Sequence, residues 1–127
     1  MLVTWLASKG ISTELAGNSS ETLLIKNLKF SIKFSTLWSQ GSYRFQQIRE
    51  KGFDYLICFG ISPFEAHCWV FEREFAISNA SQQHKGGSEY WFSIDPNNQP
   101  EWTKNCGGSL GEAYQVLKKI KPNESTN

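Results

Sequence analysis

Lys29, Ser31, Lys33 and Ser35 recur at every second position of the stretch LKFSIKFS, and Leu28, Phe30, Ile32 and Phe34 fill the places between them. Side chains two apart on a strand leave by the same face. The pattern therefore predicts two ammonium groups and two hydroxyls along one open face. Such donors suit an anion, a phosphate above all, and a solvated sheet face gives the same pattern with no ligand. The residues that follow keep both readings open. Trp38 stands in the next loop, where it either stacks on a base or packs on its neighbours. Beyond it, the segment 43–51 carries Arg44, Gln46, Gln47 and Arg49. The two arginines flank Phe45 and suit contacts with a phosphate backbone.

Charge sharpens the question. The net charge is only +1, yet residues 26–51 hold six basic side chains and one acid, a local +5, and the remainder of the chain carries −4. A positive stripe on a near-neutral chain is the footprint expected of nucleic-acid binding, or of a face whose charges balance those of a neighbour. Other chemistries have no motif here. There is no P-loop, dinucleotide fingerprint, Ser-His-Asp order or zincin helix. Glu65, His67 and Glu72 form no acid-base set that spacing can place. Cys58, Cys68 and Cys106 are an odd number with no CxxC among them, which points to reduced thiols, two of them in the core, and to a cytoplasmic protein. No apolar run approaches the roughly 20 residues of a membrane span, and the first ten residues lack the basic start of a signal peptide.

The elements that must position these residues follow from periodicity and punctuation. With 127 residues one domain is expected over residues 1–120, and residues 121–127 form a polar tail expected to fray. Residues 2–9 read as a short helix closed by Gly10. ISTEL and ETLLIK read as strands separated by the turn AGNSS, with a tight hairpin at Asn27 leading into the third strand. YRFQQIREK reads as a helix ended by Gly52, with Phe45 and Ile48 as its buried edge. FDYLICFGI is an almost unbroken apolar run of β-forming residues, the mark of a central strand covered on both faces. AHCWVFE and EYWFSI are further strands. The remainder of 76–109 is loop, and LGEAYQVLKKI is a closing helix with Ser109 as its N-cap and lysines in its last turn. This order predicts an α/β (α+β) domain with a mixed sheet flanked by helices.

A lysine on the open face of the third strand, in this order of elements, resembles the PD-(D/E)XK nuclease superfamily, the restriction-endonuclease-like fold. The phrases FSIKFSTLW, GSYRFQQIR, FDYLICFGISP and WTKNCGGSLGEAYQVLKKI carry the likeness, which spans Ile11 to Ile120. The resemblance implies a Mg²⁺-dependent phosphodiester hydrolase acting on DNA, as a homodimer where two strands are cut. It gives Lys33 and Gln47 catalytic roles and makes Lys29, Ser31, Ser35, Trp38, Arg44, Gln46 and Arg49 nucleic-acid contacts. The family holds its metal with one acid on the second strand and another two residues before the lysine. Here those places fall on Thr22 and Ser31, with Glu21 one residue away as the nearest carboxylate and the expected metal ligand. Glu14 and Glu50 are more distant alternatives. The resemblance thus implies either an impaired nuclease or a relative that only binds nucleic acid or protein.

Overall fold

The computed structural model describes residues 14–15, 22–25, 28–37, 41–49, 52–63, 65–82 and 85–120. The expected helix at 2–9, the turn at 16–20 and the tail lie outside them. In chain order the elements are β1 (Glu14–Leu15), β2 (Thr22–Ile25), β3 (Leu28–Thr36), β4 (Tyr43–Arg49), β5 (Tyr55–Ile61), β6 (Ala66–Glu72), α1 (Arg73–Ser78), β7 (Ser81–Gln82), β8 (Glu89–Ile94), β9 (Gly107–Ser109) and α2 (Leu110–Lys119). A single 3₁₀ turn, Glu101–Thr103, precedes β9. No helix among the described residues is long and apolar enough to cross a membrane.

Six strands form one sheet in the order β1-β2-β3-β5-β6-β9, and three form a second in the order β4-β8-β7. In the large sheet β3 and β5 run parallel and every other pair is antiparallel, so the sheet is mixed. Its alternating side chains feed two cores. Phe30, Ile32, Ile57, Phe59 and Val70 pack under Ala113 and Leu117 of α2. From the opposite face Leu56, Cys58, Trp69 and Phe71 pack against Tyr43, Phe45, Ile48, Phe92 and Ile94 of the small sheet and Ala76 of α1. β5 contributes to both, which is why its sequence is apolar at nearly every position. The closing helix starts as its sequence predicts. Ser109 Oγ accepts from the Glu112 amide at 3.1 Å, and Glu112 Oε1 accepts from the Ser109 amide at 3.2 Å, a complete capping box.

The expected helix over residues 43–51 is not formed. Tyr43–Arg49 is a strand, paired antiparallel with β8. The cause is a β-bulge. Phe45 stands opposite Phe92 and Ile48 opposite Tyr90, so Gln46 and Gln47 together face the single residue Trp91. One extra residue turns the strand spacing i, i+2 into i, i+3, and that is the spacing of a helix edge. Phe45 and Ile48 are buried as the periodicity required, on a bulged strand instead of a helix. The chain thus crosses from β3 to its parallel neighbour β5 by way of a strand in the second sheet. Phe53, expected to begin the central strand, precedes it.

Candidate nucleic-acid interface

On β3 the alternation holds from Lys29 to Lys33, but the polar face is only partly open, and Phe34 on the other face is 56% exposed. Phe30 and Ile32 are buried, Lys29 is exposed, and Ser31, Lys33 and Ser35 are half-buried. The cross-strand register extends this face into rows. Lys33 lies level with Cys58 of β5 and Trp69 of β6, and Ser35 with Gly60 and His67. β4 leans on this end of the face. Its Arg44 amide donates to Ser35 Oγ at 3.0 Å, and the Ser35 hydroxyl donates on to the Thr36 carbonyl at 2.8 Å. Ser35 is therefore one tie that holds β4 beside β3, together with the bridge between Leu37 and Tyr43. Between the two strands opens a cleft of about 360 Å³, lined by Lys33, Ser35, Thr36, Arg44, Gln46 and Gln47 among others.

Arg44 and Lys33 give the cleft its charge. The Arg44 guanidinium carbon lies 4.2 Å from the centre of the Trp91 ring, a cation-π contact between neighbours on β4 and β8 that fixes the side chain's direction. Lys33 adjoins a thiol that burial holds in its protonated form. Burial drives Cys58 well above the ordinary thiol range, Cys68 adds to this, and the Lys33 ammonium opposes it. Cys68 is pushed up to about 12 by burial. Neither thiol has the thiolate character a nucleophile needs, and both are core residues as expected.

A second polar group stands at the same end of the sheet, and its members are too far apart in sequence to be read together. Tyr43 Oη lies 2.9 Å from His67 Nδ1, and His67 Nε2 lies 3.4 Å from Glu65 Oε2. A tyrosine, a histidine and a carboxylate in line have the form of an activated nucleophile. Burial rules that out, because Tyr43 is 0% exposed. Burial also raises its phenol above the usual range, with a hydrogen bond from the Ser62 side chain lowering it and Glu65 raising it further. The group is a clasp. It fastens the first residue of β4 to the β5–β6 hairpin, and Arg44 is the next residue. Gly60 makes room for it, since a β-carbon there would lie 2.7 Å from three carbons of the Tyr43 ring.

The remaining site residues divide. Ser31 is paired directly with Thr22 of β2, so the two positions where the family carries acids face one another across the hairpin. In the backbone register position 14 aligns with Leu24 and, through it, with Lys29. Arg49 does not join the cleft. It lies across from Glu89 and lines a separate hollow with Gly87 and Ser88. Lys29 is at the far end of β3, where its amide donates to Asp54 Oδ2 at 2.9 Å. Asp54 thus caps the start of β3. Arg73 binds the Phe53 carbonyl at 3.0 Å. Glu21, Trp38 and Glu50 lie outside the described residues.

Mg²⁺ is ordinarily held by one or two carboxylates. The residue types at the paired positions 22 and 31, Thr and Ser, carry no charge to hold the ion. Among the described residues no three of His, Cys, Asp or Glu gather into a group that could bind a metal. The residues at this row do not fit the ion that the resemblance implies.

The fold can be set beside known ones. No protein-family model matches the sequence, and no curated protein matches it. Among solved structures the chain is similar to the bacterial homing endonuclease I-Ssp6803I, with a TM-score of 0.53 and 16% identity over 91% of this chain and 82% of that one. It also aligns with MepB, with a TM-score of 0.44 and 14% identity over 97% of this chain and 95% of the other. The chain therefore has a mixed α/β fold similar to that of a homing endonuclease.

Proposed function

We propose that this protein binds DNA through the cleft between β3 and β4, and that it descends from a Mg²⁺-dependent phosphodiesterase whose metal-binding row is now neutral. The observation that carries the reading is the joint presence of Lys33, Arg44, Gln46 and Gln47 around one cleft. The fold supports the same reading, as does the local charge of +5. Lys33 and Arg44 hold backbone phosphate there, and Lys29 extends the contact along β3. Ser35 acts through Arg44 rather than on the ligand. Ser31 and Thr22 leave hydrolysis impaired or absent, so the working activity is binding. The catalytic roles that the resemblance gives to Lys33 and Gln47 belong to the ancestral reaction. A homodimer spanning both strands, in the cytoplasm, is the assembly this reading expects.

Fluorescence anisotropy with a short DNA duplex tests the proposal. Binding should weaken steeply with salt, and replacing Lys33 and Arg44 by Ala should lower the slope of log K against log salt by about 2. No binding at low salt, or an unchanged slope in the double variant, would refute it.

A further inference from the structure

The bulge on β4 does more than shift the register. Alternation from Phe45 places Gln46 outward and would turn Gln47 into the core. Instead both are exposed, and Ile48 resumes the buried face. The backbone achieves this at Gln47, which has φ 58° and is the one non-glycine residue in the left-handed region among the described residues. Glycine or asparagine takes that conformation with less strain. The outcome is two adjacent carboxamides presented to the same cleft as Lys33 and Arg44. β4 is also the edge of its sheet. A bulge there can serve simply to block pairing with another chain, but that purpose makes no use of two amides beside two cations.

Neutral amides add little to the grip on phosphate. Each does offer a donor and an acceptor side by side, the pair that reads N6 and N7 of adenine in the major groove, and that groove is wide enough for a β-ribbon such as β4–β8. Bulges are also devices that re-aim a side chain. We infer that the Gln46–Gln47 bulge is the specificity-determining element of the cleft and reads an adenine edge in duplex DNA whose phosphates Lys33 and Arg44 hold. The inference rests on the proposed function.

Selection from a random duplex library, with anisotropy on the unselected pool, separates the two claims. The unaltered protein should enrich A at one or two positions by about tenfold or more over the other bases. Gln47→Gly suits the left-handed backbone and should fold with an equal or higher Tm. It should lose the enrichment, while the salt slope, which the charges of Lys33 and Arg44 set, stays the same. Gln46→Ala should lose part of it. Enrichment retained in Gln47→Gly, or pool binding by the unaltered protein without any enrichment, would overturn the specificity claim and leave phosphate binding intact. A fall in the salt slope of Gln47→Gly would overturn it too, by making Gln47 part of the phosphate grip. Self-association gained by Gln47→Gly with enrichment unchanged would assign the bulge to edge protection alone. Absence of any salt-dependent binding would remove the functional proposal itself.

Discussion

Two neighbouring rows of one sheet face differ in charge. The first pairs Thr22 with Ser31, and the second, one step further along β3, carries Lys33 beside the cleft that Arg44 completes. In a metal-dependent nuclease the first row supplies negative charge for the ion and the second positive charge for the phosphate. Here the first pairs two uncharged residue types and the second is basic. Binding phosphate needs only the second, whereas placing an ion against the scissile bond needs both. On the proposed reading, this contrast separates binding from cleavage. It also makes the position of β4 important, because Arg44 reaches the cleft only while β4 is held against the large sheet.

The largest effect should come from disturbing that hold. Gly60→Ala drives a methyl into the Tyr43 ring and should destabilise the fold by roughly 1–3 kcal/mol, as overpacking does. It should also weaken DNA binding more than its position outside the cleft suggests. Chemical denaturation and anisotropy on one preparation would show both. Unchanged stability would mean that β4 is not seated on β5 as described.

Raising the pH should act on the second row through its buried neighbours. Cys58 and Cys68 have folded values raised above the ordinary 9.0 of a thiol. A raised value means that the unfolded chain loses the proton first. Stability is then level below about pH 9 and falls as pH rises through the folded values, by about 1 kcal/mol per pH unit for each thiol. Denaturation midpoints at pH 8, 9 and 10 would reveal the decline, and Cys58→Ala should make it shallower. Tyr43, also raised, adds to the loss only above about pH 10.

Tyr43→Phe should have a smaller effect. It keeps the ring over Gly60 but leaves His67 Nδ1 without the phenol, at a cost of about 1 kcal/mol. If the clasp only positions β4, DNA affinity should fall no more than a few-fold. A loss as large as that of Lys33→Ala would give Tyr43 a direct part in binding.

Much of this molecule was legible in its sequence, and the failures have physical causes. The period-two run of β3, the apolar run of β5 and the N-cap at Ser109 each state their structure locally, and each formed, although β5 begins at Tyr55 and not at Phe53. β4 was misread because a bulge imitates helical spacing at Phe45 and Ile48. α1 was missed because Glu72, at its N-cap, makes no side-chain cap bond and so leaves no start signal. β9 passed for a turn because Gly107 and Gly108 are poor strand residues, and both sit at positive φ. The grouping of Lys33, Arg44, Gln46 and Gln47 was anticipated although the element carrying three of them was not, since either element would follow β3. Tyr43 and His67 are 24 residues apart, and no periodicity links them. Arg49 was grouped with Arg44 by proximity in sequence, but the strand runs it past the cleft.

Plasmid cleavage in Mg²⁺ and Mn²⁺ tests the contrast between the two rows most directly. The protein as it stands should bind supercoiled DNA and leave it intact. The variant Thr22→Asp with Ser31→Glu should nick it, and the same variant with Lys33→Ala should not. Metal-dependent nicking by the unaltered protein, abolished by Lys33→Ala, would contradict the account, because a carboxylate elsewhere in the chain would then be holding the ion.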